Sequence, residues 1–285
     1  MKRKKRKLKK GVKVIIFVLI IMILLGGIFI YMSVNNKDNQ KGDKQVMVND
    51  DSNNNVDKVQ DEVSVNQELR KTPKNNIEFS SLTDGEYVTD KGYKVVIKDG
   101  LSYVDNYLIV NKTYKLPSDY KPVNPANPVR GDWCTDCIDK DVLDAFNKMK
   151  ADASSLGLNI YIASGYRGYN NQNTLYNNYV ARDGVAAADK YSARPGYSEH
   201  QTGLCFDLNS VNDSFASTNE GIWVNSNAYL YGFIIRYPKG HEDETGYQYE
   251  SWHLRYVGTG LAKKLYNNGE WITMEDYFGL TSSYE

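Results

Sequence analysis

The chain has 285 residues, of which 41% are hydrophobic, and its 35 basic residues balance its 35 acidic residues. This length allows one compact domain with a substantial core in addition to non-globular segments. Nine basic residues lie within the first thirteen positions, so the remainder of the chain has a net charge of −9. An acidic chain of this kind is a poor partner for a phosphate backbone, and we expect no nucleic-acid ligand.

The basic tail, residues 1–13, is followed by 21 uncharged residues from Val14 to Val34. A run of this length can cross the hydrocarbon core of a bilayer as one helix. Because no small-x-small cleavage site follows, an uncleaved anchor is favoured over a cleaved signal peptide. The positive-inside rule then predicts a single-pass membrane protein with a cytoplasmic N-terminus and its remaining residues on the outer side.

Residues 35–76 are rich in Asn, Asp, Lys, Gln and Ser and nearly free of aromatic residues, which predicts a flexible linker. Residues 77–102 alternate Tyr, Val and Ile with Asp-Gly and Lys-Gly turns, a pattern typical of a β-hairpin. This hairpin-like segment either packs on the main domain or forms a small module of its own. We assign residues 103–285 to the main domain.

Helical and strand patterns are mixed in the main domain. The apolar residues of Asp139–Ala153 recur at helical spacing, and a second helix is predicted over Asn170–Val180, resuming at Val185–Tyr191. Shorter helices are predicted at 227–231, 259–267 and 274–278, and strands at 159–163, 204–208, 233–236 and 252–257. Since no βαβ rhythm is present, we predict an α+β fold with a small mixed or antiparallel sheet and flanking helices, preceded by one transmembrane helix.

The three cysteines have different surroundings. Cys134 and Cys137 form a C-x-x-C motif, and a local disulfide is favoured over two free thiols because an exported chain meets an oxidising environment. No second cysteine pair or flanking histidine completes a structural zinc site. Cys205 lies in an apolar strand and is predicted to be a small buried hydrophobic residue rather than a ligand or a nucleophile.

Two of the chain's three histidines have a carboxylate at a short spacing: His200 with Asp207, and His253 with Glu250. Two imidazoles and one carboxylate are a common ligand set for a catalytic zinc that keeps its fourth position open to water. His200, Asp207 and His253 are therefore candidate ligands. A second carboxylate can act as general base on that water, and Glu250 is the candidate.

These spacings require particular turns. His200 and Asp207 would be roughly 23 Å apart on a strand that rises about 3.3 Å per residue, so the chain must fold back between them. Gly203 is the natural turn residue. Glu250 and His253 are three residues apart and would face opposite sides of a regular strand. We therefore expect a turn or helical step at Ser251 to bring them together.

Several separated motifs occur in a fixed order: S-G-Y-R from Ser164, Gln172, S-E-H-Q-T-G-L-C-F-D from Ser198, and E-S-W-H-L-R-Y-V from Glu250. Together they resemble the VanY-type zinc D-alanyl-D-alanine carboxypeptidases over about residues 103–278. The resemblance implies a small α+β zinc fold shared with the D,D-dipeptidases and related to the hedgehog signalling domain. The chain departs from the family pattern at Ser251, where proline is frequent, and at His241, where lysine is often seen.

The resemblance also implies a function: removal of the C-terminal D-alanine from peptidoglycan precursor peptides outside the bacterial cytoplasmic membrane. It implies one zinc ion with the ligands His200, Asp207 and His253, and Glu250 as the base. Residues at family positions that contact the substrate are Arg167, Gln172 and Ser198. Arg167 would either oppose the charge that develops on the scissile carbonyl oxygen or bind the terminal carboxylate of the substrate.

Four other functions remain open. An L,D-carboxypeptidase that trims tetrapeptides, or a D,D-dipeptidase, would use the same catalytic group. A non-catalytic peptidoglycan-binding domain could keep the fold and the zinc, although the intact Glu250 argues against it because a binding domain needs no base. A thiol-dependent enzyme that uses Cys205 would be insensitive to chelators.

Overall fold

The computed structural model describes residues 85–284, except for the side chain of Asn268. The basic tail, the predicted anchor, the linker and residues 77–84 of the hairpin-like segment lie outside the described residues. None of the helices between residues 85 and 284 is both long enough and apolar enough to cross a membrane.

Residues 85–284 contain strands, α-helices and short 3-10 turns. The strands are β1 (Gly85–Val88), β2 (Lys94–Lys98), β3 (Leu101–Val104), β4 (Tyr107–Ile109), β5 (Trp133–Cys134), β6 (Ile162–Ser164), β7 (Tyr166–Arg167), β8 (Cys205–Leu208), β9 (Phe233–Tyr237) and β10 (Glu250–Tyr256). The helices are α1 (Lys140–Ser155), α2 (Tyr169–Asp183), α3 (Val185–Ala188), α4 (Asn219–Asn227), α5 (Glu242–Thr245), α6 (Gly258–Tyr266) and α7 (Met274–Phe278). The 3-10 turns are Glu199–Thr202, Asp213–Ser217, Ala228–Tyr231 and Asn267–Gly269.

The strands of this part of the chain form three sheets. Strands β1 to β4 make an antiparallel meander in chain order, the central antiparallel sheet has the order β6-β8-β10-β9, and β5 pairs with β7. The predicted hairpin-like segment contributes β1, β2 and the start of β3. Its Val95 and Ile97 belong to the same hydrophobic core as Phe278, so this segment packs on the main domain.

Residues of β8 and β10 alternate between two buried faces of the central sheet. Phe206 and Leu208, with Trp252 and Leu254 of β10, face the main core. On that side the Phe146 ring of α1 packs against Phe206 with centroids 5.1 Å apart. The intervening residues, including the candidate ligands of both strands, face the other side of the sheet. One side of the sheet therefore packs in the hydrophobic core, and the other side carries the candidate ligands.

Helix α1 confirms the predicted apolar stripe. The Asp139 carboxylate accepts a hydrogen bond from the Asp141 backbone N–H at 2.8 Å and caps the helix. Val142, Phe146 and Met149 are buried, and the helix continues to Ser155, two residues beyond the predicted end.

Other predicted elements differ from the structure in extent. The predicted strand 159–163 is observed as Ile162–Ser164, and helix α4 was not predicted. The sequence of α4, NEGIWVNSN, contains three Asn residues and one Gly, which are weak helix formers. The Thr218 side chain caps it by accepting a hydrogen bond from the Gly221 N–H at 3.0 Å. Tertiary contact and a cap thus override a weak local preference.

Candidate active site

The chain folds back between His200 and Asp207 as the spacing requires. A 3-10 turn over Glu199–Thr202 ends at Gly203, which has φ +70°, and β8 then runs back toward the turn. A Cβ atom at Gly203 would lie 2.8 Å from the Pro122 ring, so both the backbone conformation and the available space favour glycine. The predicted turn at this position is confirmed.

One nitrogen of His200 has a structural partner and the other faces Asp207. The Nδ1 atom lies 2.6 Å from the Gly165 carbonyl oxygen. A carbonyl oxygen only accepts hydrogen bonds, so Nδ1 carries the proton and donates it. In the neutral ring, the lone pair of Nε2 then faces Asp207 Oδ2 at 3.3 Å.

His253 is held in the opposite tautomer. Its Nε2 atom lies 3.4 Å from Glu199 Oε2, and an ionised carboxylate only accepts, so Nε2 is the protonated nitrogen. Its Nδ1 lone pair then faces Asp207 Oδ1 at 3.3 Å. His253 lies directly opposite Asp207 in the β8–β10 pairing, which fixes this approach.

The distances between Asp207 and the two imidazoles fit the spacing of ligands around a tetrahedral metal ion. Zinc–nitrogen and zinc–oxygen distances of about 2.0–2.2 Å give a tetrahedral edge of about 3.3–3.5 Å, close to both contacts with Asp207. Asp207 is 5% exposed, and its Oδ1 atom has no hydrogen-bond partner. In their neutral forms the two imidazoles thus direct lone pairs at the same buried carboxylate. A cation satisfies this arrangement.

Glu250 lies beside this group at the start of β10. Its Oε2 atom is 3.6 Å from His253 Nδ1, and burial raises the pKa of Glu250 to about 7. The expected turn or helical step at Ser251 is not observed. Instead, a β-bulge places the five residues of β10 from Glu250 to Leu254 opposite three residues of β9, from Tyr237 to Ile235. The irregular register brings Glu250 and His253 together within one strand.

The remaining predicted residues line the same cleft, which has a volume of about 100 Å³. Arg167 ends β7, and its buried Nε atom has no hydrogen-bond partner. Gln172 is anchored by a 2.6 Å hydrogen bond from its Nε2 to the Ala193 carbonyl oxygen, and its Oε1 atom is without a partner. Ser198 is buried at the start of the 3-10 turn. All seven predicted site residues therefore meet in one cleft, and their individual roles stay predictions.

The C-x-x-C motif supports this cleft from behind. Cys134 and Cys137 form the predicted disulfide. Cys134 pairs with Tyr166 in the β5–β7 sheet, and the Thr135 backbone packs directly against Gly165. The Gly165 carbonyl oxygen accepts a hydrogen bond from His200. The disulfide loop therefore packs against the residue that positions a candidate ligand.

Sequence reasoning missed two features of the site. Cys205 is buried as predicted, yet its Sγ atom lies within 4.8 Å of ring nitrogens of His200 and His253, so it is a neighbour of the candidate metal site and not only a core residue. Glu199 was not singled out. An acidic residue beside a candidate ligand was the available signal, but its arginine partners lie 37 and 56 residues away.

Comparison with known proteins finds related carboxypeptidases. A family model described as "VanY: D-alanyl-D-alanine carboxypeptidase" matches residues 135–259. Over 224 residues, the chain is 39% identical to the "Putative carboxypeptidase YodJ" of Bacillus subtilis (strain 168), covering 73% of this chain and 79% of that protein.

Two solved structures share the mixed α/β fold. The LdcB LD-carboxypeptidase is 38% identical with a TM-score of 0.55, covering 66% of this chain and 94% of that one. A mutant of the vancomycin resistance D,D-pentapeptidase VanY in complex with Zn(II) is 33% identical with a TM-score of 0.50, covering 59% and 96%. The chain belongs to the VanY family of D-alanyl-D-alanine carboxypeptidases.

Proposed function

We propose that this protein is a zinc-dependent carboxypeptidase that removes the C-terminal D-alanine from peptidoglycan stem peptides. The observation that carries the proposal is the convergence of His200, Asp207 and His253, with Asp207 3.3 Å from each imidazole. Glu250 stands beside them without being needed as a ligand. A domain that only bound peptidoglycan would not need the buried Glu250 carboxylate beside the three candidate ligands.

The residues divide the reaction among them. His200, Asp207 and His253 would hold a zinc ion, which would supply a Lewis acid and lower the pKa of a bound water. Glu250 removes a proton from the attacking water and later delivers it to the departing D-alanine nitrogen. Because burial raises its pKa to about 7, Glu250 can exchange a proton near neutral pH.

Arg167, Gln172 and Ser198 orient the peptide. The unpartnered Nε atom of Arg167 provides a charged donor for the carbonyl oxygen or the terminal carboxylate of the substrate. The free Oε1 atom of Gln172 offers an acceptor for a substrate N–H group. These donors and acceptors fix the peptide over Glu250 before the bond breaks.

Removal of the D-alanine that ends a tetrapeptide is the second candidate activity. It is favoured by the 38% identity to LdcB, whose name specifies an LD-carboxypeptidase, whereas the D,D-pentapeptidase VanY is 33% identical. Both activities release a single D-alanine through the same group. They differ in the configuration of the residue that precedes the scissile bond.

Product analysis tests the proposal. The purified full-length chain is offered a stem pentapeptide, a stem tetrapeptide and free D-Ala-D-Ala, with and without zinc, and products are identified by mass spectrometry. We expect loss of one D-alanine from the pentapeptide or the tetrapeptide in a zinc-dependent manner. Conversion of D-Ala-D-Ala alone would indicate a dipeptidase, and no cleavage of any peptide by the zinc-loaded chain would refute a peptidase function.

Glu250→Ala provides the matched variant. It should abolish turnover while the zinc content stays at the wild-type level, because Glu250 is outside the ligand set. Activity that survives this change would remove Glu250 from the mechanism. Chelation by EDTA followed by recovery on zinc addition would exclude a thiol-dependent enzyme that uses Cys205.

We also propose that residues 14–34 anchor the protein in the bacterial cytoplasmic membrane, with residues 35–285 outside. The support is the uncharged run that follows nine basic residues. Protease added to intact cells whose wall has been removed should digest the C-terminal domain and leave the N-terminal tail protected. Protection of the C-terminal domain under these conditions would contradict the proposed orientation.

A further inference from the structure

Glu199 is a buried carboxylate that the proposed reaction does not use. Its side chain is 1% exposed. The Oε1 atom accepts hydrogen bonds from Arg236 Nε at 2.8 Å and from Arg255 Nη1 at 3.0 Å, and Oε2 faces His253 Nε2 at 3.4 Å. Both arginines are buried, so Glu199 supplies a negative charge to two buried guanidiniums.

The network continues from Glu199 to the C-terminal helix. Arg236 makes a bidentate ion pair with Glu275 of α7, through Nη1–Oε2 at 2.8 Å and Nη2–Oε1 at 2.6 Å. Glu275 also accepts a hydrogen bond from Asn111 Nδ2 at 2.9 Å. Both carboxylates thus compensate the same buried arginine, but only Glu199 touches a candidate metal ligand.

We infer that Glu199 is a positioning residue that keeps the His253 Nδ1 lone pair directed at the metal. A carboxylate that is hydrogen-bonded to two guanidiniums accepts hydrogen bonds and does not donate them, so it directs the His253 proton to Nε2. The arginines prevent Glu199 from turning away, because each holds its Oε1 atom. A metal-ligating histidine is commonly oriented in this way by a carboxylate on its other nitrogen.

Glu199→Gln and Glu275→Gln are a matched pair of variants. Each replaces a buried carboxylate that pairs with Arg236 by a neutral group of the same shape, so each removes one charge from the same network. Only Glu199→Gln puts an amide, which can donate as well as accept, against His253. Its amide N–H can donate to Nε2 and thereby favour the tautomer in which Nδ1 is protonated.

The readout is zinc affinity, measured on the full-length chain by competition with a chromophoric chelator. We expect Glu199→Gln to weaken zinc binding by about 10- to 100-fold, and Glu275→Gln to leave it at the wild-type value. An equal loss in both variants would overturn the inference, because the effect would then belong to the arginine network. Wild-type affinity in Glu199→Gln would overturn it as well.

A second measurement needs no substitution and covers the case in which Glu199→Gln does not fold. The chain has three histidines, so long-range 1H–15N spectra of the zinc-loaded wild-type protein contain few imidazole signals. We expect His253 to be protonated on Nε2 and His200 on Nδ1. A His253 that carries its proton on Nδ1 would refute the inference.

This inference rests on the proposed zinc site, and the two can fail separately. If the wild-type chain binds no zinc, the proposed function fails before any variant is compared. If wild-type zinc binding is intact and Glu199→Gln matches it, the positioning role alone is lost.

Discussion

Gly165→Ala tests how the disulfide loop supports the candidate ligand His200. A Cβ atom at Gly165 would lie 2.2 Å from the Thr135 carbonyl oxygen and 2.8 Å from its carbonyl carbon, whereas ordinary contacts are 3.4–4 Å. Both obstructing atoms belong to the backbone, within the turn that the Cys134–Cys137 disulfide closes. They cannot be displaced by a simple change of side-chain rotamer.

The expected cost has two parts. Forcing one extra methyl group into a filled space typically costs about 1–3 kcal/mol. If the backbone at position 165 moves away to relieve the overlap, the buried hydrogen bond to His200 Nδ1 is lost, which costs about 1–3 kcal/mol more. We therefore expect the free energy of unfolding to fall by about 2–6 kcal/mol and zinc affinity to fall with it.

Urea unfolding followed by circular dichroism measures the first effect, and chelator competition measures the second. Gly260→Ala is the control, because Gly260 lies in helix α6 and nothing is within 4 Å of a Cβ atom there. That variant should gain about 0.5–1 kcal/mol and keep its zinc affinity. If Gly165→Ala unfolds at the wild-type urea concentration, the close packing between Gly165 and Thr135 is refuted.

Two further predictions concern stability. The double variant Cys134→Ser/Cys137→Ser should lose about 2 kcal/mol of unfolding free energy, since its closed loop is short; a midpoint equal to that of the wild type would show that the disulfide adds nothing. Zinc at a hundred times its dissociation constant should raise the unfolding free energy by about 2.7 kcal/mol, and Asp207→Asn should abolish most of this gain. An equal zinc effect in both proteins would exclude Asp207 as a ligand.

The candidate ligands could be proposed from sequence because histidine is rare in this chain and each of the two histidines has a carboxylate nearby. The turn at Gly203 was also predictable, since two ligands of one ion cannot stand at the ends of an extended segment. Helix α1 followed from its apolar spacing. Each of these inferences depends on residue type and on separations of a few positions.

The features that escaped prediction depend on register and on distant partners. The bulge that joins Glu250 to His253 is a mismatch between β10 and β9, and a single strand pattern contains no information about its neighbour's register. The environment of the Glu199 carboxylate consists of Arg236, Arg255 and His253, which contact it only in the folded sheet. Residue spacing along the chain could not identify these contacts.

The alternation along β8 and β10 limits how this protein can change its length. Phe206 and Asp207 are adjacent, yet Phe206 belongs to the core and Asp207 to the candidate metal site. Deleting or inserting a single residue within either strand would turn a carboxylate or imidazole into the hydrophobic interior and expose an aromatic ring to the cleft. Length variation in descendants of this gene should therefore accumulate in the connecting loops, leaving the two central strands with a constant number of residues.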